Sequence, residues 1–209
     1  MPETHTTTPL LTDRFLRAMA LAQEVHGTQL RKGSAIPYMT HLMSVAALVL
    51  EHGGSEDAAI GGLLHDAVED SDDGAAMERR IRGEFGDAVA DIVMGCSDAI
   101  AVPGQAKAPW RARKEEYLQH LRAETNRDVL LVSACDKLHN ARSVVADLRA
   151  IGPAVWTRFS VGAPDQLWYY QQLAASYEAV PAALRGELQR VVRDMSTLSV
   201  ADRGRGGVN

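Results

Sequence analysis

The sequence predicts an all-α fold built as a single domain, and three observations carry that expectation. Apolar residues recur three and four positions apart along almost the whole chain, the period of a buried helix face. No stretch shows the β-branched alternation of a strand. The interruptions fall at Gly, Pro, Asn and Asp, which cap helices and make turns, and no repeat or linker divides the 209 residues, a length that one core can serve.

The elements follow in order. Residues 1–10 are polar and Thr-rich and are expected to form a flexible arm, with the domain over residues 11–198. A first helix starts at the Thr12-Asp13 caps, carries Phe15, Met19, Ala22 and Val25 on one side, and ends near Gly27. Gly33 and Pro37 then break the pattern, so Arg31 to Pro37 is a loop. A second helix spans His41 to His52 and stops at Gly53-Gly54. Ser55 and the acids after it start a third, which runs into Leu63-Leu64-His65-Asp66. An acidic turn, Glu69 to Gly74, precedes a helix bearing Met77, Ile81 and Phe85, and Gly86 allows a turn into Val89, Ile92 and Val93. Ala101 to Pro109 is expected to be a mobile loop. Trp110 to Leu121 is amphipathic with a basic stripe, and Asn126 caps a helix through Leu130, Leu131, Asp136 and His139. Two further helices cover Asp165 to Val180 and Pro181 to Met195, and residues 199–209, rich in Gly and Arg, are expected to be disordered.

Composition excludes several classes. The N-terminus lacks the basic start and apolar run of a secretory signal, and the most apolar stretch, Leu42 to Leu50, is far short of the roughly 20 residues that span a bilayer. A cytoplasmic protein without a membrane segment is expected. Cys96 and Cys135 belong to no C-x-x-C pair, so they are read as reduced core residues and not as zinc ligands. Lys+Arg 22 against Asp+Glu 27 gives a net charge of −5, which argues against a nucleic-acid polymer as partner but leaves room for a small anion held by local cations.

The chemistry centres on His41, His65, Asp66 and Asp136, four ligand-type side chains set among apolar neighbours. A carboxylate buried there is costly unless it is paired or bound to a metal. A mixed imidazole and carboxylate set suits a borderline or hard divalent ion, with manganese the first candidate ahead of iron or zinc. Each piece alone has a plainer explanation, since a lone helical histidine is more often a core or cap residue than a ligand. Glu69 and Asp70 follow His65 and Asp66 by four positions, so on a continued helix they share a face with them and could activate water and move its proton. Asp72 and Asp73 are read as a solvated loop. Candidate cations for an anionic substrate are Arg31, Lys32, Lys114, Lys137, Arg142 and Arg158, whereas Arg111, Arg113 and Arg122 read equally well as a solvated face. Asn140, four after Asp136, either reads a nucleotide edge or braces the ligand.

These blocks resemble the HD-domain hydrolases of the RelA/SpoT type, above all the single-domain small alarmone hydrolases. Arg31-Lys32-Gly33 leading to Pro37-Tyr38 and His41 is similar to the family's R-K-x-G…P-Y…H opening. His65-Asp66-Ala67-Val68-Glu69-Asp70 is similar to H-D-x-x-E-D, Phe85-Gly86 with Val89-Ala90 to F-G-x-x-V-A, and Asp136 to Arg142 to D-K/R-L-H-N-x-R. Trp156 to Tyr170 looks like the W-x-R-F…L-W-Y-Y ending of small bacterial members. Cys135 replaces the small residue usual before the aspartate, and the usual Thr is missing after Asp70. The resemblance implies an HD-type helical bundle, His41, His65, Asp66 and Asp136 as manganese ligands, Glu69 and Asp70 as the catalytic pair, and Arg31, Lys32, Lys114, Asn140 and Tyr169 as substrate contacts, with a packed aromatic core the alternative for Tyr169.

It implies hydrolysis of the 3′-pyrophosphate of (p)ppGpp to GDP or GTP and pyrophosphate. Too few residues follow Met195 for a synthetase domain, so synthesis is not expected. Two other readings stay open: an HD-type phosphohydrolase acting on a different nucleotide, and a non-catalytic nucleotide sensor, against which the Glu69-Asp70 pair argues. Oligomeric state, and a role in the stringent response or as antitoxin to an alarmone synthetase, are not legible in the residues.

Overall fold

A computed structural model describes residues 11–97 and 108–201. The arm expected over residues 1–10, the loop Ala101 to Pro109 except its last two residues, and residues 202–209 of the expected tail lie outside the described residues. The described chain is helical: α1 Asp13–His26, α2 Met39–Glu51, α3 Glu56–Leu64, α4 Ala67–Asp70, α5 Gly74–Phe85, α6 Asp87–Cys96, α7 Trp110–Ala123, α8 Arg127–Ile151, α9 Ala163–Ser176 and α10 Ala182–Ala201. No strand forms among the described residues. The all-α class is as expected, and α10 continues a little past the expected boundary at residue 198.

Local chemistry starts these helices. Thr12, Ser55, Asp73 and Asn126 each accept a hydrogen bond from a backbone N–H of the first turn they precede. Asp73, read as a solvated acid, is therefore the cap of α5.

At the centre lies α3. Every residue from Ala58 to Leu64 is buried, because the helix is apolar on all sides and packs against α1, α2, α6 and α8. Its glycines set how closely the neighbours approach. A Cβ on Gly61 would sit 2.5 Å from Ile92 Cγ2, and one on Gly62 would sit 3.3 Å from the Ala46 backbone. Two apolar clusters result, one gathering α1, α3, α5 and α6, the other wrapping α8 with α7, α9 and α10. Cys96 and Cys135 are both buried and unpaired; burial pushes the Cys96 thiol up and Cys135 up to about 12, so both stay protonated.

The structure corrects three boundaries. The third helix does not run through His65 and Asp66: α3 ends at Leu64, these two residues make a turn, and α4 begins at Ala67, so Glu69 and Asp70 are helical where a turn was expected. The Asp70 N–H still bonds the Asp66 carbonyl at 3.0 Å, which preserves the one-turn spacing between that pair. Finally, α8 continues well past His139 to Ile151, where Gly152 turns the chain at φ 61 and Pro153 starts a 3-10 segment, Gly152–Arg158, that was not anticipated.

Candidate functional site

Three helical units deliver the four candidate ligands to one point. His41 lies in the first turn of α2, His65 and Asp66 in the turn that leaves α3, and Asp136 in the middle of α8. The close approach allowed by Gly62 brings α2 and α3 together, so the His41 and His65 rings meet edge to face at 5.2 Å. His41 Nε2 is 3.2 Å from Asp136 Oδ1 and 3.8 Å from Asp66 Oδ2; His65 Nε2 is 3.1 Å from Asp66 Oδ2 and 3.6 Å from Asp136 Oδ1. His41, His65 and Asp66 each offer a ligand atom within 4.8 Å of the others.

A second layer holds these side chains. The His65 Nδ1 donates to the Gly62 carbonyl at 2.9 Å, which leaves Nε2 for the centre. His41 Nδ1 meets His139 Nδ1 at 2.8 Å. Tyr38 donates its O–H to Asp66 Oδ2 at 2.5 Å. Asn140 donates to Asp136 Oδ1 at 2.5 Å and accepts from Arg31 at 2.6 Å, and Lys137 pairs with Asp136 Oδ2 at 2.6 Å. Asn140 thus braces Asp136, one of its two expected roles.

Charge and burial oppose each other here. Burial pushes the His41 imidazole down. Burial also disfavours charge on His65, yet the Asp66 and Asp136 carboxylates outweigh it and hold that imidazole well above its usual range. Burial would raise both carboxyls, but the His65 imidazole holds Asp66 low, and the Lys137 ammonium with the two imidazoles does the same for Asp136. His139 is held near pKa 4, by burial first and by His41 and Arg31 after it. The carboxylates therefore draw positive charge between the two imidazoles. His41 Nε2 and His65 Nε2 face the carboxylates but are buried without a hydrogen-bond partner, which is costly unless something else binds between them. Two such nitrogens converging on two carboxylates fit a divalent cation.

Beside this centre opens a cavity of about 630 Å³, whose lining includes Tyr38, Lys137, His139 and Asn140. Of the expected substrate contacts, Arg31, Lys32, Lys114, Lys137, Asn140, Arg158 and Tyr169 line it. Lys32 lies over the Phe159 ring at 5.7 Å and Lys114 over the Tyr169 ring at 5.0 Å. Tyr169 also packs against Trp110 and Tyr170, so it is core and wall at once. Arg158 bonds Asp147 at 2.6 Å, and its stem lies against Gly33, whose φ of 71 and absent Cβ let the Arg31-Lys32 loop sit there.

Arg142 is a correction. It does not line the cavity, because it is exposed and its guanidinium is engaged by Glu187 of α10. Glu69 and Asp70 do not line the cavity either; they sit on α4, directly after the Asp66 turn, with Glu69 half-buried and Asp70 exposed. Several side chains escaped the sequence reading. Tyr38 and His139 stand inside the matching motifs, and His139, three after Asp136, was legible by helical spacing. Trp110 had no local signal, since it reaches the cavity wall only through tertiary packing, whereas Phe159 is the last residue of the W-x-R-F run.

Comparison with known proteins gives a consistent picture. Residues 18–160 match the HD domain family. Among curated proteins, a guanosine-3′,5′-bis(diphosphate) 3′-pyrophosphohydrolase of Haemophilus influenzae is 32% identical over 59% of this chain, and a probable GTP pyrophosphokinase of Mycobacterium leprae is 33% identical over 61%. The chain spans only 18% and 15% of the length of those two relatives. A guanosine-3′,5′-bis(diphosphate) 3′-pyrophosphohydrolase of Xenopus tropicalis is 28% identical over 86% of this chain and 93% of its own. Among solved structures, a metazoan ortholog of SpoT that hydrolyzes ppGpp superposes with a TM-score of 0.70 at 21% identity, covering 89% of this chain and 97% of that one, a likeness of fold. A Listeria monocytogenes protein superposes at 0.61 with 31% identity over 73% of this chain and 96% of that one.

Proposed function

The chain belongs to the HD domain family, and on that premise we propose that it removes the 3′-pyrophosphate from ppGpp or pppGpp, releasing GDP or GTP and pyrophosphate, with manganese as its ion and the cytoplasm as its place of action. One observation carries the reading: His41, His65, Asp66 and Asp136 converge at one point, and Tyr38, Lys137 and Asn140, which bond Asp66 and Asp136, line the adjoining cavity, whose wall is cationic and aromatic. The cavity volume falls in the roughly 300–1,000 Å³ range of small-molecule sites. A base and ribose suit the aromatic wall, and two pyrophosphate groups suit its cations. The Xenopus relative, matched over nearly its whole length, bears the name of this activity. No helix among the described residues is long and apolar enough to cross a membrane.

His41, His65, Asp66 and Asp136 would hold the ion, which supplies Lewis acidity toward the reacting phosphoryl group and makes water a nucleophile near neutral pH. Asn140 and Tyr38 fix the two carboxylates by donating to them. Glu69 and Asp70 orient the attacking water, take its proton, and return a proton to the ribose 3′ oxygen as it leaves. Arg31, Lys32, Lys114 and Lys137 hold the phosphates, and the Lys137 ammonium is kept charged beside Asp136 despite its burial.

The test is pyrophosphate release by protein stripped of metal and reloaded with manganese, on ppGpp beside a panel of nucleotides, with Glu69→Gln and Asp70→Asn as controls. Manganese-dependent release from ppGpp, lowered about 10²–10⁴-fold in the variants, is expected. Cleavage of another nucleotide but not ppGpp would overturn the substrate, and tight ppGpp binding without turnover would make the protein a sensor.

A further inference from the structure

His26 has no part in the chemistry above, yet it is fully buried at the end of α1, against the site. Its Nδ1 is 2.8 Å from Gln29 Oε1 and 3.7 Å from Asp70 Oδ2. An amide oxygen and a carboxylate oxygen both accept, so Nδ1 carries the ring proton and donates toward them. Nε2 is buried with no hydrogen-bond partner among the described residues. The ring itself stacks on Tyr38, 5.3 Å between centroids at 27°. Tyr38 is the residue whose hydroxyl bonds Asp66, and Gln29 fixes its backbone by accepting the Tyr38 N–H at 2.9 Å. One buried imidazole therefore touches both the support of a proposed metal ligand and one of the two proposed proton-handling carboxylates.

A fully buried ring nitrogen without a partner is an expense to the fold, and an apolar ring of similar shape would avoid it. The imidazole is retained for what its donor does. We propose that His26 is a positioning residue: its Nδ1–H orients the Asp70 carboxylate toward the reacting centre, while its face sets Tyr38 against Asp66. The proposal rests on the reading of Asp70 as a proton carrier. The 3.7 Å separation is longer than a hydrogen bond, and catalytic contacts of this kind commonly shorten in the substrate complex.

Two substitutions separate the donor from the ring. His26→Phe keeps a flat ring on Tyr38 and removes the donor, whereas His26→Asn removes the ring and keeps an amide N–H near the Nδ1 position. In manganese-loaded protein we expect His26→Phe to keep the wild-type melting temperature or exceed it, to lower kcat about 10–100-fold, and to leave KM within about twofold. His26→Asn should recover most of that kcat despite a lower melting temperature. Wild-type kcat in His26→Phe, or an equal loss in both variants, would overturn the donor role. If ppGpp is not the substrate, the same comparison runs on whichever nucleotide the wild type cleaves.

A readout without turnover keeps the two proposals apart. In a long-range ¹H–¹⁵N spectrum of the zinc-loaded protein, His26 should appear as the Nδ1–H tautomer and its Nδ1 resonance should move in Asp70→Asn. An Nε2–H tautomer, or an Nδ1 signal indifferent to Asp70, would sink the positioning role even in an active enzyme.

Discussion

The ligand cluster and the cavity beside it are built on opposite principles. His41, His65 and Asp136 are buried side chains fixed by the packing of α2, α3 and α8, with a hydrogen-bonded neighbour behind each. The cavity wall is assembled from the Arg31-Lys32 loop, the Gly152–Arg158 segment, α7, α9 and the cavity-facing side of α8, and its cations rest on aromatic faces or on single carboxylates. The cluster is a core feature whose members depend on one another; the wall is a set of separable contacts. Damage to the first should be cooperative, and damage to the second graded.

The largest effect expected is from Asp136→Ala. It removes the carboxylate that faces both imidazoles and leaves the buried Lys137 ammonium without its partner, so bound metal, measured by mass spectrometry of the purified protein, should be lost and turnover should fall about a thousandfold or more. Metal retained with activity intact would break the contrast. Asn140→Ala touches both regions, since this side chain joins Asp136 to Arg31; metal affinity, titrated by calorimetry, should drop about 10–100-fold. Lys114→Met lies only in the wall and should raise KM about tenfold, with kcat within about twofold and metal content unchanged. Smallest is Arg142→Gln, which breaks a pair with Glu187 outside the cavity; steady-state rates should stay within about twofold, and stability in a urea melt within about 0.5 kcal/mol. A large KM change there would return Arg142 to the substrate site.

The same contrast explains what could be read in advance. His65 and Asp66 stood out because Gly61 to Leu64 announced burial, and a polar pair amid such residues needs a chemical reason. Lys32 and Lys114 carried no such mark, since cations are ordinary on exposed loops and helices. Arg142 lies away from the cavity because adjacency to Asp136 in sequence says little about direction: six positions along α8 is more than one and a half turns, and its side chain meets α10. The turn at His65-Asp66 was hidden because its residues suit a helix as well as a turn. His26 escaped because a histidine in the last turn of a helix has an ordinary explanation there.

By itself the sequence determined the helical class, the caps at Thr12, Ser55 and Asn126, and that His41, His65 and Asp136 are polar residues set among buried apolar neighbours. Those are properties of local spacing and of the cost of desolvating charge, and both act within a turn or two of the chain. Only the tertiary structure decided which cations line the cavity, that Tyr38, His139 and Asn140 stand behind the candidate ligands, and that Arg142 pairs with Glu187 outside it. Such choices depend on how closely α2 and α6 approach α3 across Gly61 and Gly62, and on where the Arg31-Lys32 loop seats against Arg158. Distances of that kind are set by long-range packing, in which residues far apart in the chain meet, and no local pattern encodes them.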